Sequence, residues 1–112
     1  MDEAFERGIE LFNTGHYFEA HEAFEDVWRE SQGELRLLCQ GLVQACAGLV
    51  KHQRNQPDPA GTLLVKGLSR LEATPPSCRP DINIEQLIRD LKTVVRALRM
   101  RVSFEPPLIA RL

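Results

Sequence analysis

The sequence predicts an all-α protein: a small bundle of about five helices around a buried central one. Three observations carry this. Apolar residues recur at a period near 3.6 through most of the chain, no segment alternates at period 2, and clusters of Gly, Pro, Asn and Ser divide the periodic stretches. With 112 residues, 43% hydrophobic and 27% charged, the chain is expected to be one domain spanning 1–112.

The breaks give the elements in order. Asn13-Thr14-Gly15 ends a first helix over about 2–14, because Asn and Gly tolerate the left-handed conformation that closes a helix. Its apolar side holds Phe5, Ile9, Leu11 and Phe12. A second helix, about 17–30, carries the stripe Tyr17, Ala20, Phe24, Val27 and Trp28 and stops at Ser31-Gln32-Gly33. The third, about 34–54, is apolar nearly all round, the pattern of a central helix. Its polar stripe is Arg36, Gln40, Gln44 and Lys51, which suits solvent or the lining of a pocket. After Asn55–Pro59 a fourth helix runs over about 59–73, with Asp58 as expected N-cap, and buries Leu63, Leu64, Leu68 and Leu71. The Pro-rich segment 74–80 precedes a fifth helix, about 83–102, capped by Asn83 and apolar at Ile84, Leu87, Ile88, Leu91, Val94, Val95 and Leu98. The tail 103–112 is too Pro-rich for a helix and too apolar for a free end. It is expected to fold back over the bundle, with docking on a partner subunit as the alternative.

In the first two helices Gly8, Leu11, Gly15, Tyr17, Ala20, Phe24 and Val27 fall at the offsets of a tetratricopeptide helical pair. That repeat recurs at about 34 residues. The pattern does not recur here, so it describes hairpin packing rather than a solenoid.

Composition narrows the function classes. The longest nearly apolar run, Leu37–Val50, is broken by Gln40 and Gln44 and falls short of the roughly 20 residues a membrane span needs. The chain opens on acidic residues and shows no signal-like segment, and Cys39, Cys46 and Cys78 have no disulfide or CxxC spacing; a cytoplasmic protein is expected. Residues 1–50 hold three basic and ten acidic side chains, residues 51–112 eleven and six. The basic ridge Arg89, Lys92, Arg96 and Arg99 could meet phosphates, but the net charge of −2 argues against nucleic acid as a partner, and a solvated outer face explains the ridge. No Walker loop, dinucleotide fingerprint or serine elbow is present.

The densest cluster of chemically capable side chains is on the second helix. His21, Glu25 and Trp28 share a face at i, i+4 and i+7, with Glu22 on the neighbouring stripe. His and a carboxylate four residues apart can ligate one metal ion, though the His-Glu-x-x-His zinc motif is absent, as is the Glu-x-x-His of di-iron bundles. The third ligand would be His52. The small face Gly41, Ala45, Gly48 of the third helix would let the second helix approach and bring His52 towards His21.

His21-x-x-x-Glu25-x-x-Trp28 resembles the H-x-x-x-E-x-x-[W/Y] signature of an uncharacterised prokaryotic family, domain of unknown function 309. The segments Leu11–Glu22, Gln40–Ala45, and Asn55 followed by Ala60-Gly61 are similar to it as well, so the resemblance covers about 5–73. It implies a small helical protein of unknown activity, for which metal binding at the signature has been suggested.

The expected function is therefore a binding or accessory module. It would use a polar groove formed by His21, Glu22, Glu25, Trp28, Gln40, Gln44 and His52, with a divalent metal on His21, Glu25 and His52 as one reading of its cofactor. The alternatives are a metal-dependent, hydrolase-like enzyme with Glu22 or Glu25 as base, and a protein-interaction module with a protein partner or a second copy. Against all three stands a purely structural role, in which His21 joins a buried polar network that fixes the packing.

Overall fold

A computed structural model describes residues 2–112. Five α-helices follow one another: α1 (Asp2–Asn13), α2 (Tyr17–Glu30), α3 (Gly33–Gln53), α4 (Pro57–Glu72) and α5 (Ile84–Met100). A short 3-10 turn, Pro76–Cys78, lies between the last two. The expected bundle is present, its breaks within a residue or two of their predicted places. Gly15 and Gly33 take left-handed φ values of 81° and 62° at the α1–α2 and α2–α3 joints. Asn83 caps α5 by accepting a hydrogen bond from the Gln86 N–H at 2.9 Å. The start of α4 differs: Pro57, with φ preset for a helix, opens it one residue before Asp58, so Asp58 sits in the first turn and Gln56 at the cap position. Leu63, Ile88 and Leu98 are half-buried rather than buried.

The α1–α2 hairpin closes through aromatic contacts. Phe5 meets Phe24 edge-on at 5.5 Å and Phe12 meets Tyr17 at 5.3 Å. Gly8 gives Phe24 its room, since a Cβ on Gly8 would stand 2.5 Å from the ring. Helix α3 is central and packs against α2 on one side and α4 on the other. The Gly41, Ala45, Gly48 face receives α4, not α2, because α4 carries the complementary small residues. A Cβ at Gly67 would meet the Gly41 carbonyl oxygen at 2.9 Å and the Ala45 nitrogen at 3.0 Å; one at Gly48 would meet the Ala60 oxygen at 3.0 Å. Helix α5 closes the bundle on α4, burying Leu87, Leu91 and Val94.

The tail folds back as expected. Asn13 donates to the Ile109 carbonyl at 3.0 Å and accepts from the Ile109 N–H at 2.7 Å, and the Ile109 side chain is buried. Asn83 and Leu112 complete the seam, with backbone bonds to Ala110 and Asp81 at 2.8 and 3.1 Å. Four charged groups bind α1, the 79–82 loop and the tail together: Arg111 pairs with Glu6 and reaches Asp81 at 3.4 Å, and Arg79 pairs with Asp81 at 2.7 Å. Arg79 also lies 3.9 Å over the Phe5 ring.

The hydrogen bond from Arg79 holds the Asp81 carboxyl down at about 2, and the bond from Arg111 lowers that of Glu6. Carboxyls depressed in the folded state stabilise it above their unfolded pKa of about 4 and cease to do so as pH falls through the folded value. The tail should therefore loosen between about pH 4 and pH 2, ahead of the apolar core. Limited pepsin digestion followed by mass spectrometry should find the first cuts within 103–112. First cuts inside α3 or α4 would show that the charged cluster does not set acid stability.

Candidate functional site

Helix α2 returns antiparallel along α3, and the contact that fixes their register is Arg36 over Trp28, with the guanidinium 4.0 Å from the ring centroid. Arg36 also donates to the Trp28 carbonyl at 3.2 Å, beside the bond that this carbonyl accepts from the Ser31 N–H at the end of α2. Counting along both helices from that contact at 1.5 Å per residue brings Glu25 level with Gln40 and His21 level with Gln44, in a strip about 10 Å long.

In this register the polar face of α3 is a seam towards α2 rather than a solvent stripe, and Gln40 and Gln44 are both half-buried. Three side-chain atoms in the strip are sealed from solvent and lack any hydrogen-bond partner: His21 Nδ1, Trp28 Nε1 and Gln44 Oε1. They are one indole donor, one amide acceptor and one imidazole nitrogen that can be either. Leaving such an atom buried and unpaired costs about 1–3 kcal/mol, and native proteins hold few of them. An exposed and a half-buried side chain flank the strip. Phe18, 52% exposed, lies parallel to His21 at 6.4 Å, and Arg36 covers Trp28.

The remaining predicted site residues are placed differently. Glu22 is exposed on the outer side of α2. Glu25 is half-buried, its carboxylate held by Arg29 at 3.2 Å, while Arg29 also bonds Asp26 at 2.9 Å. His52 lies at the far end of α3, where its ring meets Phe104 of the tail at 4.7 Å. The small-residue face that was to carry His52 to α2 is taken by α4 instead. His52 lines a separate cavity of about 430 Å³ with Asn13, Tyr17, Leu49 and Phe104. His16 is exposed and bonds Thr14 at 2.9 Å.

The donor set does not fit a metal ion. Among the described residues no three or more His, Cys, Asp or Glu side chains are arranged to hold one. His21 turns a sealed nitrogen inward, Glu25 is engaged by Arg29, and His52 is occupied with the tail. The cysteines supply no ready thiolate: burial pushes Cys39 up to about 12, and it raises Cys46 and Cys78 too. What the strip offers is unpaired hydrogen-bonding capacity beside Phe18 and Arg36.

The basic ridge of α5 is also partly engaged. Lys92 pairs with Glu72 at 2.8 Å and Arg89 bonds Gln86 at 2.8 Å. No helix among the described residues is long and apolar enough to cross a membrane.

Fold and strip together define a small α-helical protein built on a two-helix hairpin, with a polar seam between its second and third helices. The chain belongs to the family described as Domain of unknown function (DUF309), whose profile matches residues 5–63, just over half of its length. That span covers most of α1, all of α2 and α3, which build the seam, and the first part of α4. No curated protein matches the chain.

Two features of the strip escaped sequence reasoning: Arg36 as the cover of Trp28, and Phe18 as the neighbour of His21. The first depends on the α2–α3 register, which spacing within a single helix does not reveal; the second had a signal in the i, i+3 spacing of Phe18 and His21 on α2.

Proposed function

We propose that the protein is a binding module whose recognition element is the α2–α3 strip of His21, Glu25, Trp28, Gln40 and Gln44. The observation that carries this is the trio of sealed, unpartnered atoms on His21, Trp28 and Gln44. A ligand of about the strip's length would present an acceptor at the Trp28 end and a donor at the Gln44 end. Phe18, which is exposed, would swing aside to admit it, by a rotamer change of the kind exposed side chains make on the picosecond-to-nanosecond scale, while Arg36 stays in place over Trp28. Its hydrogen bonds would then replace a desolvation cost the ligand-free protein already bears, which favours binding. The three cysteines, none in a disulfide, support a reducing compartment and hence a cytoplasmic setting.

Trp28 is the only tryptophan, so its indole N–H gives one assignable NMR signal. In the ligand-free protein that signal should sit upfield, as for an indole without an acceptor, and exchange slowly with solvent. A fragment screen should yield polar compounds that shift it downfield, and Gln44→Met should weaken those compounds at least tenfold while retaining the fold. An indole already hydrogen-bonded in the free protein, and unmoved by every fragment, would identify the strip as a structural network instead.

A further inference from the structure

A further cavity lies within the basic half of the chain. Between the N-terminal half of α4 and the C-terminal end of α5 is a cavity of about 600 Å³, within the range that holds small organic molecules. Lys66, Arg99 and Arg101 line it, and none of the three forms an ion pair among the described residues. One carboxylate, Asp58, faces them, so the lining is net positive. The apolar part of the wall includes Val65, 45% exposed, and half-buried Leu98.

Gly61, also in the wall, points the same way. Glycine is the poorest helix former after proline, and a helix-interior glycine ordinarily has a packing reason. Gly8, Gly41, Gly48 and Gly67 each have one, since an added Cβ would collide with a neighbour. At Gly61 a Cβ would meet nothing within 4 Å, and φ is not in the left-handed region. Among the described residues it is the helix-interior glycine that this chain's own packing does not explain, and it borders the cationic cavity.

We propose that this cavity binds an amphipathic organic anion, its phosphate, sulfonate or carboxylate held by Lys66, Arg99 and Arg101 and its apolar body laid over Gly61 against Val65 and Leu98. The cations supply charge-assisted hydrogen bonds. Gly61 lets the body lie on the α4 backbone. Charge alone would favour any polyanion, nucleic acid included, but the apolar wall beside the cations favours a small ligand with a hydrophobic portion.

Titration of the full-length protein with naphthalene-1-sulfonate, followed by amide NMR, tests this. Shifts should cluster in 57–66 and 95–101. Inorganic phosphate and uncharged naphthalene-methanol should each bind at least tenfold more weakly, since each lacks one half of the ligand. A Cβ at Gly61 meets nothing within 4 Å and glycine is the poorer helix former, so Gly61→Leu should occupy the cavity and abolish binding while leaving the melting temperature equal or higher; Arg99→Gln with Arg101→Gln should weaken binding at least tenfold. Vesicles of phosphatidylglycerol, set against phosphatidylcholine, distinguish the source of the anion. Binding to the vesicles that Gly61→Leu removes would make it a lipid headgroup, and its absence alongside sulfonate binding would make it a free molecule. Unchanged sulfonate affinity in Gly61→Leu, equal affinity for naphthalene-methanol, or nucleic-acid binding that strengthens with length and ignores Gly61→Leu would each overturn the proposal.

Discussion

Gly67→Ala is expected to destabilise the protein by about 3 kcal/mol, a large part of the ~5–15 kcal/mol that holds a typical domain folded. The new methyl group would stand 2.9 Å from the Gly41 carbonyl oxygen and 3.0 Å from the Ala45 nitrogen. Both are backbone atoms of α3, so no side chain can rotate away, and relief requires α3 and α4 to separate. That separation would loosen Leu38, Leu42, Leu64 and Leu71, all fully buried. Gly61→Ala on the same helix is the internal control. Its methyl group meets open space, so only the helix preference of alanine should register, as a gain of about 1 kcal/mol. Urea unfolding of the two variants should thus give opposite signs. A Gly67→Ala protein as stable as the parent would mean that α3 and α4 are not in glycine-mediated contact.

The second large effect concerns the α1–α2 hairpin. Phe24→Ala should cost about 3–5 kcal/mol, because the ring is fully buried and packs edge-on against Phe5. Gly8→Ala should cost about 2–3 kcal/mol for the opposite reason, overpacking, since its Cβ would press on that same ring. The two costs share one cause, the space between residue 8 and residue 24, so they should not add. The double variant should be more stable than the sum of the singles implies, by about 1 kcal/mol or more. A four-protein denaturation cycle measures this, and strict additivity would show that Gly8 does not exist to seat Phe24.

These contacts also mark the limit of what the residues alone disclose. The helices were legible because period and punctuation are local: Gly15, Gly33 and Asn83 stop and start helices through their own backbone preferences and hydrogen bonds. Which helix would sit on Gly41, Ala45 and Gly48 was not legible, because a small-residue face admits any neighbour. Gly67 and Ala60, distant in sequence, gave the place to α4. His52 followed, drawn to Phe104 of the tail rather than to His21. Within the site, His21, Glu25 and Trp28 could be placed on one face of α2 by spacing. The partnerless state of His21 Nδ1 and Trp28 Nε1 could not, because it depends on what α3 brings opposite. Gln40 and Gln44 read as well for solvent as for a pocket, and only the α2–α3 register decides that they flank the signature. The cationic cavity had one sequence signal, Gly61 within a helical stretch, but a lone glycine does not say whether a neighbour or a ligand needs the space.

The most direct test of the recognition strip is the stability of Gln44→Met. Methionine nearly conserves the volume and shape of glutamine but removes the sealed carbonyl oxygen that has no partner. If that oxygen is unpaired in the ligand-free protein, the variant should be as stable as the parent, or more stable by up to about 1 kcal/mol in urea unfolding. A loss of about 1–3 kcal/mol would show that the amide is already hydrogen-bonded within the fold, and that His21, Trp28 and Gln44 are structural.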